Sequence, residues 1–329
     1  MKPFDFRHAH DIDDALEHGA ADGARFYAGG TNLLDLMKLG LETPSSLVDI
    51  GKLDLDAVTP TDRGGVMIGA GVTNSAIANH RLIRTQYPVI SHAILSGATT
   101  QLRNMATAGG NLMQRTRCPY FMEATFPACN KRRPGSGCGS LTGFNREHAL
   151  FGASDACVAV HPSDMAVALA MLDAVLHVES RSGGRVIPLS QFFRLPGDHP
   201  EVDNVLQRGE LITGIELPPS EYARHSWYLK VRDRHSYAFG LVSVAVGLTI
   251  LDGTVASAAI ALGGVAAKPW RVADAEAALI GQPPGIESFR AAAELAMAGA
   301  RPLSQNGFKV DLGKHSIVRA LRRATALRR

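Results

Sequence analysis

Several signatures are missing from this sequence, and each absence closes a route. Charge of one sign is not in excess: 34 Lys and Arg against 31 Asp and Glu leave +3, too weak a bias to argue for a nucleic-acid partner. No apolar run is long enough to span a bilayer. The longest, Leu241 to Leu251, has eleven residues with a serine, a glycine and a threonine inside it, so a core strand is expected there and no membrane insertion. The amino terminus, Met-Lys-Pro-Phe-Asp-Phe-Arg-His, lacks the apolar segment of a secretory signal, which leaves the cytoplasm or export in the company of a partner. Neither the Gly-x-Gly-x-x-Gly fingerprint nor the P-loop occurs, against nicotinamide held in the usual way and against nucleotide hydrolysis. There is no Gly-x-Ser-x-Gly elbow, and the twelve histidines form no His-Glu-x-x-His pair, so no catalytic acid, base or nucleophile is assigned.

A length of 329 residues predicts two or three domains. The first fifty residues alternate strand and helix signals: Pro3 to Phe6 extended, a helix capped by Asp11 and stopped at Gly19, Arg25 to Tyr27 extended, a helix over Asn32 to Leu39, and a strand over Leu47 to Ile50. A second α/β unit runs from Val66 to about Pro219. Helices are expected there near Asn74 to His80, Val89 to Ser96 and Ser163 to Leu172, and strands near Val175 to Val178 and Leu211 to Leu217. After the Pro218-Pro219 linker come two apolar strands, Leu241 to Leu251 and Val255 to Leu262. Ala-rich helices follow near Val272 to Leu279, Ile286 to Met297 and His315 to Leu327.

What the sequence does contain is concentrated. All four cysteines, Cys118, Cys129, Cys138 and Cys157, fall in one irregular stretch just after Thr107-Ala-Gly-Gly-Asn111, at spacings of eleven, nine and nineteen with no Cys-x-x-Cys knuckle. Loops of this kind can bring four thiolates onto zinc or an iron-sulfur cluster, and disulfides are the alternative in an oxidising compartment. Two glycine turns share one chemistry. Ala28-Gly29-Gly30-Thr31-Asn32-Leu33 lies between a strand and a helix, and Thr107-Ala108-Gly109-Gly110-Asn111-Leu112 repeats it. Glycines there permit positive φ and leave N–H groups free to point at the phosphates of a dinucleotide.

Tyr27-Ala-Gly-Gly-Thr-Asn-Leu-Leu34 and Gln101-Leu-Arg-Asn-Met-Ala-Thr-Ala-Gly-Gly-Asn-Leu112 resemble the two flavin-binding segments of the FAD subunit of the molybdenum hydroxylases, the xanthine dehydrogenase and aldehyde oxidoreductase family. Pro162-Ser163-Asp164, Gly209-Glu210-Leu211-Ile212 and Tyr228-Leu229-Lys230-Val231 extend the likeness nearly end to end. Arg115-Thr-Arg-Cys-Pro-Tyr-Phe121 and Cys129-Asn-Lys-Arg-Arg-Pro-Gly-Ser-Gly-Cys138 are similar to the branch found in periplasmic aldehyde oxidoreductases, where four cysteines hold a 4Fe-4S cluster beside the flavin.

The resemblance implies an α+β fold: an FAD-binding PCMH-type domain, 1–219, of two α/β subdomains (about 1–57 and 58–219, with the cysteine-rich insertion 115–157), and a C-terminal flavoprotein domain, 220–329, of antiparallel strands and helices. It implies flavin contacts at Phe26, Tyr27, Ala28, Gly29, Gly30, Thr31, Asn32, Leu33 and Leu34, at Thr107, Gly109, Gly110 and Asn111, and at Asp164, Ile212 and Lys230, with the four cysteines as cluster ligands. Lys230 would place positive charge where reduced flavin gains negative charge. Read without the resemblance, Asp164 is a helix N-terminal acid and Lys230 a solvated strand-end charge.

The implied function is the FAD-bearing electron-transfer subunit of a molybdenum aldehyde oxidoreductase. A large molybdopterin subunit and a small 2Fe-2S subunit would complete a heterotrimer that passes electrons to an external acceptor. Periplasmic location by co-export with a partner is expected, with the cytoplasm as the alternative. The FAD subunit of a xanthine or other N-heterocycle dehydrogenase is the nearest rival, and a four-cysteine zinc-stapled binding module the rival from another class. Between Gln101 and Leu150 the basic residues Arg103, Arg115, Arg117, Lys131, Arg132, Arg133 and Arg146 face only Glu123 and Glu147. They read as a positive surround for a cluster, a docking surface, or a solvated loop. His148 and His161 read as structural.

Overall fold

The computed structural model describes residues 1 to 326, the side chain of Arg224 excepted, and among them no helix is long and apolar enough to cross a membrane. The first unit comprises β1 (Asp5–His8), α1 (Ile12–Gly19), β2 (Ala24–Tyr27), α2 (Leu33–Lys38) and β3 (Ser46–Asp49), its strands forming a parallel sheet in the order β1-β3-β2. Asp11 caps α1 as expected, its carboxylate accepting the Asp14 N–H at 2.8 Å.

The second unit is built differently from a doubly wound domain. It contains β4 (Val58–Pro60), β5 (Val66–Gly69), the helices α3 (Asn74–Asn79), α4 (Arg81–Gln86), α5 (Pro88–Ser96), α6 (Thr100–Met105), α7 (Ala108–Leu112), α8 (Pro119–Met122) and α9 (Asp164–Met171), then β6 (Val175–Glu179), β7 (Arg185–Pro188), α10 (Leu189–Phe192) and β8 (Leu211–Leu217). The sheet order is β4-β5-β8-β6-β7, every neighbouring pair antiparallel. Met165 to Met171 are all buried, so α9 is a core helix apolar all round.

The third unit holds β9 (Ser226–Val231), β10 (Val242–Leu251), β11 (Thr254–Gly263), β12 (Trp270–Arg271) and the helices α11 (Ala273–Leu279), α12 (Ile286–Met297) and α13 (Phe308–Ala326). Its antiparallel sheet runs β12-β11-β10-β9. Asp252 and Gly253, both at positive φ, close the β10–β11 hairpin. Val242 to Leu248 of β10 are buried on both faces because both are covered. Ala245 points with Ala259 and Ala261 into the core around α9, while Val244, Val246 and Leu248 join the core under α12 and α13.

Two expectations need correction. α13 begins at Phe308 rather than His315: Gly313, which reads as a breaker, lies inside the helix, where a Cβ would sit 2.8 Å from the Met297 side chain, so its missing side chain lets α12 and α13 approach. The expected end of that helix, Leu327, lies outside the described residues. Thr107 to Leu112 reads as a glycine turn, whereas Ala108–Leu112 form a short helix with Thr107 as its N-cap.

Candidate flavin and thiol site

The first glycine turn follows β2 directly. Gly30 has φ +67 and Gly29 sits so close to the next segment that a Cβ would lie 1.8 Å from the Met105 carbonyl oxygen. This contact holds the turn against the end of α6 and hence beside the second turn. Among the described residues the N–H groups of Gly29 through Leu33 donate to no protein acceptor, so a row of backbone donors is available to an anion. The Asn32 Oδ1 accepts the Arg115 N–H at 3.1 Å, and its Nδ2 is buried without a partner. Leu33 and Leu34 open α2, half-buried. Phe26 and Tyr27 serve packing: Phe26 lies over Gly19, and Tyr27 meets Phe6 edge-on at 5.7 Å.

The second turn works by another means. Thr107 Oγ1 accepts the Gly110 N–H at 3.2 Å, and the Gly109 N–H donates to the Ala70 carbonyl at 2.9 Å. Of Gly29, Gly30, Gly109 and Gly110 only Gly30 adopts positive φ, which corrects the expectation that both turns need glycine for conformation. Gly109 is needed because a Cβ would press on Ala70, at 3.2 Å from its Cβ. Gly110 is exposed, and its missing side chain leaves backbone open to a ligand.

Asn111 connects this turn to α9, its Oδ1 accepting from the Ser163 hydroxyl, and Ser163 caps α9 ahead of Asp164. Asp164 accepts a hydrogen bond from the Tyr228 hydroxyl at 2.6 Å and pairs with the Lys230 ammonium at 2.7 Å. Tyr228 and Lys230, two apart on β9, project to the same face, a period-two relation visible in the sequence. The Lys230 side chain is 5% exposed, so the solvated strand-end reading of this residue fails. Ile212 stands apart: its side chain is buried in the core of the second unit and does not line the cleft.

That cleft runs between the cysteine segment, the start of α9 and the sheet of the third unit, and its walls include Arg117, Cys118, His148, His161, Asp164 and Phe239. His161 Nδ1 accepts the Ser163 N–H at 3.3 Å, while its Nε2 is buried without a partner. Burial pushes His161 down to about 4 against the pull of Asp203. His148 Nε2 lies 3.2 Å from the Cys118 sulfur, and burial together with the Lys309 charge lowers it to about 4. A histidine of the cysteine region that reads as structural in the sequence thus lies against a thiol.

All four cysteines are free. Cys129 and Cys138 face each other across a short antiparallel bridge, closed by Asn130 N–H to Gly137 O at 2.7 Å and Gly139 N–H to Ala128 O at 3.0 Å. Burial pushes the Cys157 thiol up to about 11, with Lys131 opposing and Cys138 and Cys118 adding. Burial likewise raises Cys118, with Ser140 opposing and Cys129 adding. The thiols thus share one neighbourhood. Yet among the described residues no three His, Cys, Asp or Glu side chains stand close enough to hold one metal ion, so the ready-made ligand tetrad expected from the sequence is not what the structure presents. The physical reason lies in the thiols' other contacts. Cys118 meets Ser140 and His148, Cys157 accepts from Ala159, and four thiols, two buried and two half-buried, gain nothing by converging without a cation between them.

The basic residues of this segment are mostly internal staples. Arg115 pairs with Glu42 and Asp203, Lys131 with Asp203, and Arg146 with Asp233, each at 2.9 Å or less. Burial opposes ionisation of Asp203, yet Lys131 and Arg115 hold its carboxyl below the usual range. Arg132 donates to the carbonyls of Glu123 and Phe126, and Arg103 to those of Gly97 and Ala98. From the third unit, Lys309 donates to the carbonyls of His148 at 2.8 Å and Gly264 at 2.6 Å, and Asn306 to those of His148 and Ala149. The segment is therefore tied down from both sides despite having little regular structure.

Comparison with known proteins places the chain in a family. The domain family described as "FAD binding domain in molybdopterin dehydrogenase" matches residues 2–220, and "CO dehydrogenase flavoprotein C-terminal domain" matches residues 227–325. The chain is 48% identical over 328 residues to the aldehyde oxidoreductase FAD-binding subunit PaoB of Escherichia coli, covering 99% of each chain. It is 27% identical to the glyceraldehyde dehydrogenase medium chain of Sulfolobus acidocaldarius, covering 85% of this chain and 82% of that one. In fold it matches quinoline 2-oxidoreductase from Pseudomonas putida with a TM-score of 0.76 at 24% identity, covering 98% of each chain, and reconstituted CO dehydrogenase from Oligotropha carboxidovorans with 0.76 at 23%, covering 99% of each. These matches set aside the zinc-stapled binding module, and the chain belongs to the FAD-binding subunits of the molybdenum hydroxylases, an oxidoreductase family.

Proposed function

We propose that this chain is the FAD-bearing medium subunit of a heteromeric molybdenum aldehyde oxidoreductase, relaying electrons from the 2Fe-2S centres of a small subunit to an external acceptor. The observation that carries the aldehyde assignment is the end-to-end identity of 48% with an aldehyde oxidoreductase FAD-binding subunit. Molybdopterin chemistry would belong to a large subunit, completing a heterotrimer. FAD, when bound, supplies the two-electron to one-electron exchange such a relay needs. The chain's own residues would position it. The free N–H row from Gly29 to Leu33 suits the pyrophosphate, Gly110 leaves backbone approachable, and Asp164, oriented by Tyr228 and Lys230, offers a carboxylate to a hydroxyl or ring N–H. Ile212 would contribute backbone rather than side chain.

The four cysteines would hold a 4Fe-4S cluster. Supporting this are the four free thiols gathered in one irregular segment, Cys129 facing Cys138 across a short bridge, and the likeness of that segment to the cluster-bearing branch of the family. Flavin and iron determination on the purified complex, with its absorption spectrum, tests both cofactors: one FAD and four irons assigned to this chain are expected, and a chain with flavin but no iron would confine the reading to the flavin. The domains are read as 1–219 and 220–329, and the location as periplasmic through a leader on a partner subunit. Fractionation of cells with and without that leader decides the latter, since a chain in the cytoplasm in both cases would refute co-export.

A further inference from the structure

Lys230 was expected to offer its charge to reduced flavin, but the structure commits it elsewhere. Its ammonium is held at 2.7 Å by the Asp164 carboxylate and lies 3.4 Å from the Ser96 carbonyl, so the pair presents no net charge to the cleft. Arg115, Lys131 and Arg146 are likewise paired with carboxylates. Arg117 differs from all of them. It lines the same cleft as Asp164, and among the described residues it makes no ion pair and no hydrogen bond. Its Nη1 is buried without a partner, and its guanidinium lies over the Phe239 ring, 5.5 Å from the centroid. A desolvated guanidinium N–H without an acceptor is unfavourable, so the arrangement suits a ligand that brings an electron-rich oxygen or nitrogen to it.

We propose that Arg117 is the flavin-site cation, donating to the electron-rich edge of the FAD ring system and favouring the reduced flavin, whose extra electrons add negative charge there. This rests on reading the cleft around Asp164 as the ring site. The neighbouring residue Cys118 offers a competing acceptor, a cluster thiolate, and the test separates the two.

Flavin and iron-centre potentials are measured by spectroelectrochemical titration of the purified complex for wild type, Arg117→Gln and Arg117→Lys, together with FAD content. Arg117→Gln is expected to lose at least tenfold of its preference for reduced over oxidised flavin, a drop of about 30 mV in the two-electron midpoint. Arg117→Lys, which keeps the charge, should recover most of it, and the iron centres should not move. An unchanged flavin midpoint, an equal drop in both variants, or a shift confined to the iron centres overturns the proposal. If Arg117→Gln retains no flavin, Arg117→Lys decides: restored FAD supports the charge contact, and an equally empty chain overturns it. The ring-site reading is judged separately, on Asp164→Asn, where unchanged flavin affinity and potential would remove Asp164 from the site.

Discussion

The buried Asp164–Lys230 pair joins the second and third units, and its removal has a calculable cost. The two side chains are 12% and 5% exposed and 2.7 Å apart. At an effective dielectric constant of about 20 their gross attraction is roughly 6 kcal/mol, much of which offsets the desolvation of both ions. Lys230→Met leaves the carboxylate buried with the Tyr228 hydroxyl as its remaining side-chain donor, and stranding one partner of a buried pair costs about 3–5 kcal/mol. The residual exposure of Asp164 and the Tyr228 bond place the expectation at the lower end, about 3 kcal/mol. Asp164→Asn with Lys230→Met should recover most of that, because neither ion is then left alone, giving a coupling energy near 2 kcal/mol. Urea unfolding of wild type, both single variants and the double variant measures the cycle. A coupling below about 0.5 kcal/mol would refute the argument that this pair joins α9 to β9 energetically.

Gly29→Ala should destabilise by roughly 1–3 kcal/mol, because its Cβ would fall 1.8 Å from the Met105 carbonyl oxygen, whereas Gly110→Val should unfold close to wild type yet lose FAD. Melting curves beside flavin stoichiometry check both, and a flavin-replete Gly110→Val would contradict the approach argument. His161 remains neutral in the folded chain until about pH 4 but protonates near 6.5 when unfolded, so the unfolded state binds more protons between those values. Stability should therefore fall by up to roughly 3 kcal/mol as pH drops through that window, and His161→Gln should remove that part of the slope; an identical profile in the variant would locate the acid sensitivity elsewhere. Cys129→Ser should lower iron content and the yield of folded complex more than flavin content, measured by metal analysis and expression, since cluster binding is also folding free energy for an irregular segment. Four irons retained at normal yield would dismiss Cys129 as a ligand.

Local chemistry was legible in the sequence, and contacts across long separations were not. Asp11 before α1, the extent of α12 and the Asp252-Gly253 hairpin follow from caps, periodicity and turn residues within a few positions. The resemblance carried the α+β architecture. The burial of Lys230 was invisible because its partner is 66 residues away, and a lone lysine on a short strand reads as solvated. Arg115 and Lys131 had the same fate: their partners Glu42 and Asp203 lie outside the stretch whose charge was counted. Gly313 and Gly29 were legible as glycines but not as contacts, since only the packing shows what a Cβ would strike. Arg117 is one charge among seven in the sequence, and nothing local marks its Nη1 as buried without an acceptor among the described residues.

The central claim, that this chain relays electrons taken from an aldehyde through its flavin, is tested most directly by anaerobic addition of an aromatic or aliphatic aldehyde to the assembled complex while flavin absorbance is followed. The account predicts bleaching of the flavin bands in the complex and none in the separated chain, which has no aldehyde-oxidising centre assigned to it. Flavin that stays oxidised in a fully loaded complex, or that is bleached instead only by xanthine or another N-heterocycle, would contradict it.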